Sequence, residues 1–297
     1  MRTILILAVL APLLSGCATL KRFNPLGPRT LEARRLTQEA EAAIHGASWD
    51  EAERKLVQAI DKSPDDNHAR SVLADVLWQR GASRAAVEQK SRAVALSGRN
   101  DPIQLTELGQ MEFSTGQLDG ALQHANDAIA EDNMYSDAWS LRGFVLRAQG
   151  KPEESLNSFF RSLSIRSDDS SARLEIARIY HQTGQPQRAL AILGAVPSAE
   201  VAPCSEFAEV CYLRGVIMQQ LGRPIDAIAS LRLAKENGCG AHDLLLHLAE
   251  SQFQAGEQLQ ARATLADAEL SAGGEYQVAV NELRRRIEND ETGTFRR

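Results

Sequence analysis

The chain has 297 residues, of which 43% are hydrophobic and 5% aromatic, and its formal net charge is −6. This length allows one large domain, two ordinary domains or a repeat array. The negative charge argues against a nucleic-acid-binding protein, which needs a basic face. Few aromatic residues, with abundant alanine and leucine, favour close-packed helices over a β-sandwich.

Residues 1–16 have the organisation of a signal peptide. Arg2 is followed by an apolar run, 4–14, which is shorter than the about 20 residues that cross a bilayer. The run ends in Leu-Ser-Gly-Cys at Cys17, which resembles the lipobox of bacterial lipoproteins. The resemblance implies cleavage before Cys17 and lipidation of that cysteine. An ordinary secretory signal followed by an unrelated cysteine is the alternative.

The residues after Cys17 suggest where the anchor is held. Residue 18 is Ala, and the lipoproteins that enterobacteria retain in the inner membrane carry Asp there. The resemblance therefore implies an outer-membrane lipoprotein that faces the periplasm. We predict a lipidated, flexible tether over 17–32. Its stretch 18–30 is basic and has no acid, which suits either contact with anionic head groups or a plain spacer.

The rest of the chain repeats itself with a period near 34 residues. One set of small residues has successive gaps of 34, 35, 34, 34, 38 and 34 and comprises Ala40, Ala74, Gly109, Gly143, Ala177, Gly215 and Ala249. A second set has the same gaps and comprises Ala52, Ala86, Ala121, Ser155, Ala189, Ala227 and Ala261. Glycines lie between the two sets, at Gly81, Gly116, Gly150, Gly184, Gly222 and Gly256. Because glycine readily ends a helix, each unit is predicted to be a helix, a glycine turn and a second helix.

This pattern resembles the tetratricopeptide repeat, whose helix hairpins are about 34 residues long. Trp139, Gly143 and Phe159 match the family's pattern best, within one unit. The resemblance implies an all-α fold, a right-handed superhelical α-solenoid closed by a C-terminal capping helix. The predicted divisions are repeats at 33–66, 67–100, 102–135, 136–169, 170–203, 208–241 and 242–275, the cap at 276–290 and a disordered tail at 291–297.

The sequence has no pattern that indicates catalysis. P-loop, G-x-G-x-x-G, G-x-S-x-G and H-E-x-x-H motifs are absent, and the histidines are scattered. We therefore predict no enzymatic activity, no cofactor and no metal. Antiparallel helices bring Cys211 and Cys239 to one edge, where they could form a disulfide in an exported protein. Cys204 competes as a partner, and free thiols remain an alternative.

Partner contacts in the tetratricopeptide family often come from positions 2, 5, 9, 12 and 13 of the first helix of each repeat. The matching positions here include Trp78, Phe113, Phe144, Arg147, Arg178, His181, Tyr212, Gln219 and Phe253. Aromatic anchors among polar groups suit an extended or helical peptide. Alternatively, superhelical winding or the C-terminal cap buries some of these rings.

The sequence thus favours a membrane-anchored, non-enzymatic adaptor that binds a partner protein in a concave groove. Its layout resembles tetratricopeptide lipoproteins that assist pilus assembly or scaffold peptidoglycan hydrolases, and that likeness is analogy. Two other classes stay open. One is a regulatory or substrate-delivery subunit of an envelope enzyme complex, and the other is a self-assembling structural protein, so a homo-oligomer is a further expectation.

Overall fold

The computed structural model describes residues 27–194, 204–271 and 276–294. All regular secondary structure in these residues is α-helical, which confirms the predicted fold class. The helices are α1 (Pro28–His45), α2 (Trp49–Lys62), α3 (Asn67–Gln79), α4 (Ser83–Leu96), α5 (Pro102–Ser114), α6 (Leu118–Glu131), α7 (Ser136–Ala148), α8 (Pro152–Ile165), α9 (Ser170–Gln182), α10 (Pro186–Leu193), α11 (Cys204–Gln220), α12 (Pro224–Glu236), α13 (Leu244–Gln254), α14 (Gln258–Ser271) and α15 (Gln277–Thr294).

The helices form two compact units. The first ends at Ala82 and contains α1, α2 and α3, with α2 packed against both of its neighbours. Its core includes Leu36, Leu56, Leu73 and Val76. The second begins at Ser83 and contains α4 to α15.

Small residues at the repeated positions let paired helices approach closely. A Cβ atom on Gly143 would lie 2.7 Å from the ring of Phe159, and one on Gly215 would lie 2.5 Å from Leu231. Both distances are too short for a real side chain. Ser155, the one serine among alanines in its set, donates a hydrogen bond of 2.7 Å to the carbonyl of Gly143. The periodic small residues therefore mark the contact line within each hairpin.

Glycine ends the first helix of six hairpins in a left-handed conformation. The φ angles of Gly81, Gly116, Gly150, Gly184, Gly222 and Gly256 lie between 68° and 80°. L-amino acids with a side chain rarely adopt these angles, so the repeated glycine follows from the backbone of the turn.

Several helix ends differ from the sequence-based divisions. α1 begins at Pro28, inside the segment assigned to the tether, because proline at the first helical position is already set in a helical φ. α11 begins at Cys204, before the expected start of its unit at residue 208. α15 continues to Thr294, past the predicted end of the cap at residue 290. The predicted signal peptide and Cys17 lie outside the described residues.

The second unit alternates two kinds of helix. α5, α7, α9, α11 and α13 are the first helices of their hairpins, and we call their common exposed surface the A-helix face. Direct packing links α5 to α7, α9 to α11 and α11 to α13. The second helices, α6, α8, α10, α12 and α14, pack behind them, and α15 packs on both α13 and α14. The predicted contact residues of this unit are arranged on the A-helix face.

Candidate partner-binding face

At one end of the A-helix face a cavity of about 360 Å³ opens between α5, α7 and the start of α9. Phe113 and Phe144 line it, and both are half-buried, with ring centroids 6.4 Å apart. Phe144 also meets the fully buried ring of Phe159 edge to face, at 5.1 Å. Phe144 is therefore packed against a buried ring from below, and part of both cavity rings stays open, as an apolar anchor site requires.

The rim of this cavity carries two aspartates and one arginine, which pair with one another. Arg166 lies 2.7 Å from Asp137 and 2.9 Å from Asp169. Ser140 adds a hydrogen bond of 3.2 Å to Asp169. Because these charges already have partners, the rings are the groups that would gain most from a ligand.

A row of charges crosses the middle of the A-helix face. Arg147 Nε lies 2.8 Å from Glu175 Oε2, and Arg178 lies 3.5 Å from Glu175 and 2.7 Å from Glu209. The Arg147 and Glu175 atoms attract by charge but are not aligned as a hydrogen bond, and each lacks a hydrogen-bond partner among the described residues. Burial raises the pKa of the Glu175 carboxyl, and the two guanidinium groups oppose that rise.

The far end of the face is a hydrogen-bonded network between α11 and α13. The Tyr212 hydroxyl donates to Asp243 Oδ1 at 2.6 Å, and Gln219 Oε1 lies 2.7 Å from His247 Nδ1. His247 Nε2 lies 3.5 Å from Asp243. The hydrogen bond from His247 lowers the pKa of Asp243, while burial and the bond to Asp243 raise the pKa of Tyr212. These polar groups are thus already engaged within the chain.

The remaining predicted contact residues have different surroundings. Burial lowers the pKa of His181, whose Nδ1 has no hydrogen-bond partner in the described ranges. Phe253 packs against the cluster that α13 and α14 form with α15, and the Arg286 guanidinium carbon lies 5.6 Å from its ring centre. The capping helix therefore covers part of this ring. Trp78 is half-buried on α3, in the first unit.

Sequence reasoning missed four residues of the face. Glu209 and Asp243 occupy position 2 of their repeats, one of the family's contact positions, so that signal was available. Glu175 and His247 occupy position 6, which carries no general contact rule. The structure brings all four against predicted contact residues.

The two cysteines predicted to pair lie in one apolar cluster. Cys211 is buried and Cys239 is half-buried, and both pack with Ala234 and Leu244. Burial raises the pKa of both thiols. The disulfide between Cys211 and Cys239 stays a prediction. The side chain of Cys204 is not among the side chains that the structure describes.

Two searches of the described residues bear on other kinds of site. Histidine, cysteine, aspartate and glutamate do not gather there in any group of three or more that could hold a metal ion. Across the same residues, every helix is too short or too polar to span a bilayer.

Comparison with known proteins agrees with the helix pattern. Two family models, both described as tetratricopeptide repeat, match residues 37–102 and 146–211. The chain carries tetratricopeptide repeats. Proteins built from tetratricopeptide repeats typically act as non-enzymatic scaffolds for protein–protein interaction.

Curated relatives match only parts of the chain. It is 26% identical over 120 residues to small glutamine-rich tetratricopeptide repeat-containing protein 2 of Saccharomyces cerevisiae, which covers 38% of this chain and 34% of that protein. It is 38% identical over 50 residues to an uncharacterized protein of Methanocaldococcus jannaschii, and this match covers 17% of this chain and 58% of that protein. The chain thus spans about a third of the length of the yeast protein and somewhat over half of the length of the archaeal one.

Solved structures match more of the chain at low identity. A tetratricopeptide repeat protein from Parabacteroides merdae is 16% identical with a TM-score of 0.63, covering 87% of this chain and 99% of that one. PilF of Pseudomonas aeruginosa is 19% identical with a TM-score of 0.62, covering 77% and 100%. PilW, described as a type IV pilus biogenesis factor, is 20% identical with a TM-score of 0.62, covering 73% and 98%. At these identities the likeness shows the shared fold.

Proposed function

We propose that this protein is an adaptor of the cell envelope, anchored to a membrane through Cys17, whose A-helix face binds a peptide or helix of a partner protein. The aromatic cavity carries the proposal. Phe113 and Phe144 contact each other, are partly open and are bordered by charges that already have partners. A partner can therefore insert an apolar side chain without uncovering an unpaired charge.

The charged row beside the cavity supports a peptide ligand rather than a flat protein surface. Arg147 and Arg178 each keep part of the side chain exposed, 36% and 32%, beside the buried carboxylate of Glu175. A peptide lying along the face brings backbone C=O groups, which can accept hydrogen bonds from these guanidinium groups. We therefore expect a ligand with one apolar anchor and a main chain that follows α7 and α9.

The proposal of a lipid anchor on Cys17 is based on the sequence. Cys17 follows an apolar run and small residues, as a lipidated cysteine does in bacterial lipoproteins. Acyl chains would hold the protein at a membrane, since each buried CH₂ contributes about 0.8 kcal/mol. Growth with labelled palmitate should label the wild-type chain and leave Cys17→Ala unlabelled. An equally labelled variant would remove the anchor from the proposal.

The binding test is an in vivo crosslinked pull-down from whole envelope with wild type and Phe113→Ala. The wild type should recover a defined partner that Phe113→Ala recovers at least tenfold less, because truncating an aromatic hot spot weakens binding by about 2 kcal/mol or more. Phe160→Ala is the matched control, since Phe160 is 40% exposed on α8, outside the A-helix face. Both variants should keep wild-type helicity by circular dichroism. Equal recovery with Phe113→Ala and wild type would refute binding through the cavity.

A further inference from the structure

The side of α7 that packs toward α6 and α8 carries a tryptophan with two arginines over its ring. The indole Nε1 of Trp139 donates a hydrogen bond of 3.0 Å to the carbonyl of Asn133, so the ring is tied to the turn after α6. The guanidinium carbon atoms of Arg142, on α7, and Arg161, on α8, each lie 6.0 Å from the centre of this ring. Two helices therefore bring two positive charges to one aromatic ring. We call Trp139, Arg142 and Arg161 the arginine–tryptophan cluster.

The groups that hold the two arginines are neutral. Arg142 donates to Asn126 Oδ1 at 3.0 Å and to Ser158 Oγ at 2.7 Å. Arg161 donates to a serine hydroxyl of its own helix at 3.4 Å and lies 3.8 Å from the sulfur of Met134. Across the part of the chain that the structure describes, no carboxylate lies within ion-pair distance of either guanidinium group. The cluster therefore keeps two positive charges that its neighbours position but do not neutralise.

The repeat itself does not dictate this arrangement. Arg92 of α4 occupies the repeat position of Arg161, and it forms an ion pair of 2.6 Å with Glu88, four residues earlier. The residue four before Arg161 is Asn157, whose amide has no charge. The repeat position of Arg142 is apolar in three other repeats of the second unit, where it is Leu108, Ile176 and Leu248. The uncompensated charge is thus particular to the hairpin of α7 and α8.

We infer that the arginine–tryptophan cluster binds an acidic segment of a partner protein, through residues other than those of the aromatic cavity. Carboxylates match the planar donor groups of arginine, and an anion beside both guanidinium groups offsets the repulsion between them. Met134, which is 58% exposed and next to Arg161, offers an apolar contact beside the charges. The segment that fits therefore combines acids with aliphatic residues. It gives the proposed adaptor a second contact in addition to the aromatic cavity.

The charges around the cluster favour a short segment over an extended anionic surface. The chain has a formal net charge of −6, and α6 and α8 carry exposed acids, including Glu131 and Glu154. An anionic bilayer or a nucleic-acid backbone would bring many negative charges toward these acids, and their repulsion would oppose binding. A peptide can direct its carboxylates to the two arginines alone.

The test follows the fluorescence anisotropy of a labelled peptide of alternating glutamate and leucine, with blocked ends, as the full-length protein is added. Wild type should bind it, and Arg161→Gln should bind about fivefold more weakly, because one charged contact at an exposed site is lost. Arg92→Gln, at the equivalent position of α4, is the matched control and should bind like wild type. Equal affinity of Arg161→Gln and wild type would overturn the inference.

Further measurements separate this charge contact from other causes. Arg161→Lys keeps the charge and should recover part of the lost affinity, and a lysine variant as weak as Arg161→Gln would reject charge as the basis of binding. A peptide with lysine in place of glutamate should not bind, and equal affinity for both peptides would also overturn the inference. Phe113→Ala should bind the acidic peptide like wild type, which separates this result from the outcome for the aromatic cavity.

Discussion

At α5 and α7 the A-helix face presents two partly open phenylalanine rings, whereas at α11 and α13 it presents a closed set of hydrogen bonds. Both ends are built by the same repeat with the same spacing. Phe113 and Gln219 both occupy position 12 of their repeats, and the difference comes from the residue at position 6 of the next repeat, which faces position 12. For Phe113 the facing residue is Leu141, and both line the open cavity. For Gln219 the facing residue is His247, and the two form a hydrogen bond of 2.7 Å.

The same relation explains the middle of the face. Arg147 at position 12 pairs with Glu175 at position 6 of the next repeat. For His181 the corresponding residue is Leu213, which is apolar and buried, and His181 Nδ1 has no hydrogen-bond partner among the described residues. The availability of a contact residue thus depends on the side chain 28 to 32 residues further along the chain, as well as on its own type.

The largest expected effect removes the support of the aromatic end. Phe159→Ala leaves a cavity beneath Phe144 and should lower the free energy of unfolding by about 3–5 kcal/mol. Denaturant unfolding followed by circular dichroism measures this change. The control is Phe160→Ala on the same helix, which removes a ring that is 40% exposed and should lower stability much less. Similar losses of unfolding free energy in both variants would mean that Phe159 does not support the Phe113 and Phe144 rings more than an exposed ring on the same helix does.

The next effect concerns the charged row. Glu175→Ala removes a largely buried side chain between Arg147 and Arg178 and should lower the free energy of unfolding by about 1–2 kcal/mol, because buried packing is lost beneath the two guanidinium groups. The charge itself adds little, since burial raises the pKa of Glu175. Glu209→Gln, whose side chain is half-exposed, should lower it by less than about 0.5 kcal/mol. The same unfolding measurement compares them. A larger loss for Glu209→Gln would reverse this ranking of the two side chains.

A smaller effect is expected at the polar end. Tyr212→Phe removes the hydroxyl that donates to Asp243 while leaving the ring in place, and should lower the free energy of unfolding by about 1 kcal/mol. The change should also raise the pKa of Asp243, because one of the hydrogen bonds that stabilise its carboxylate is lost. A carboxyl titration followed by NMR measures that pKa. An unchanged value would show that Tyr212 does not stabilise the Asp243 carboxylate.

The smallest effect is a pH dependence. Because burial lowers the pKa of His181 below 6.5, the unfolded chain binds this proton before the folded chain does. Stability is therefore lost as pH falls from about 6.5 through the folded pKa. Between about pH 7.5 and about 5.5, His181→Gln should lose less stability than wild type. A His181→Gln profile parallel to wild type would contradict the assigned cause.

The repeat register was predictable because it rests on backbone requirements. Gly143 and Gly150 are needed for a close contact and a left-handed turn, and such needs recur at a fixed spacing. Which contact residues remain open was less predictable, because it depends on a neighbour in the next repeat. Phe253 illustrates this, since α15 packs on α13 and Arg286 lies over its ring. The start of α1 also escaped prediction, because a proline can precede a helix or begin one.

The position of Pro28 has a consequence for where an anchored form of this protein could work. Between Cys17 and α1 the chain has only residues 18–27, whose fully extended span is at most about 35 Å. With the proposed lipid on Cys17, α1 would be kept within one protein diameter of the bilayer. The anchored chain would search a thin layer above the membrane surface, and it would meet only those partners that expose their binding segment within that layer.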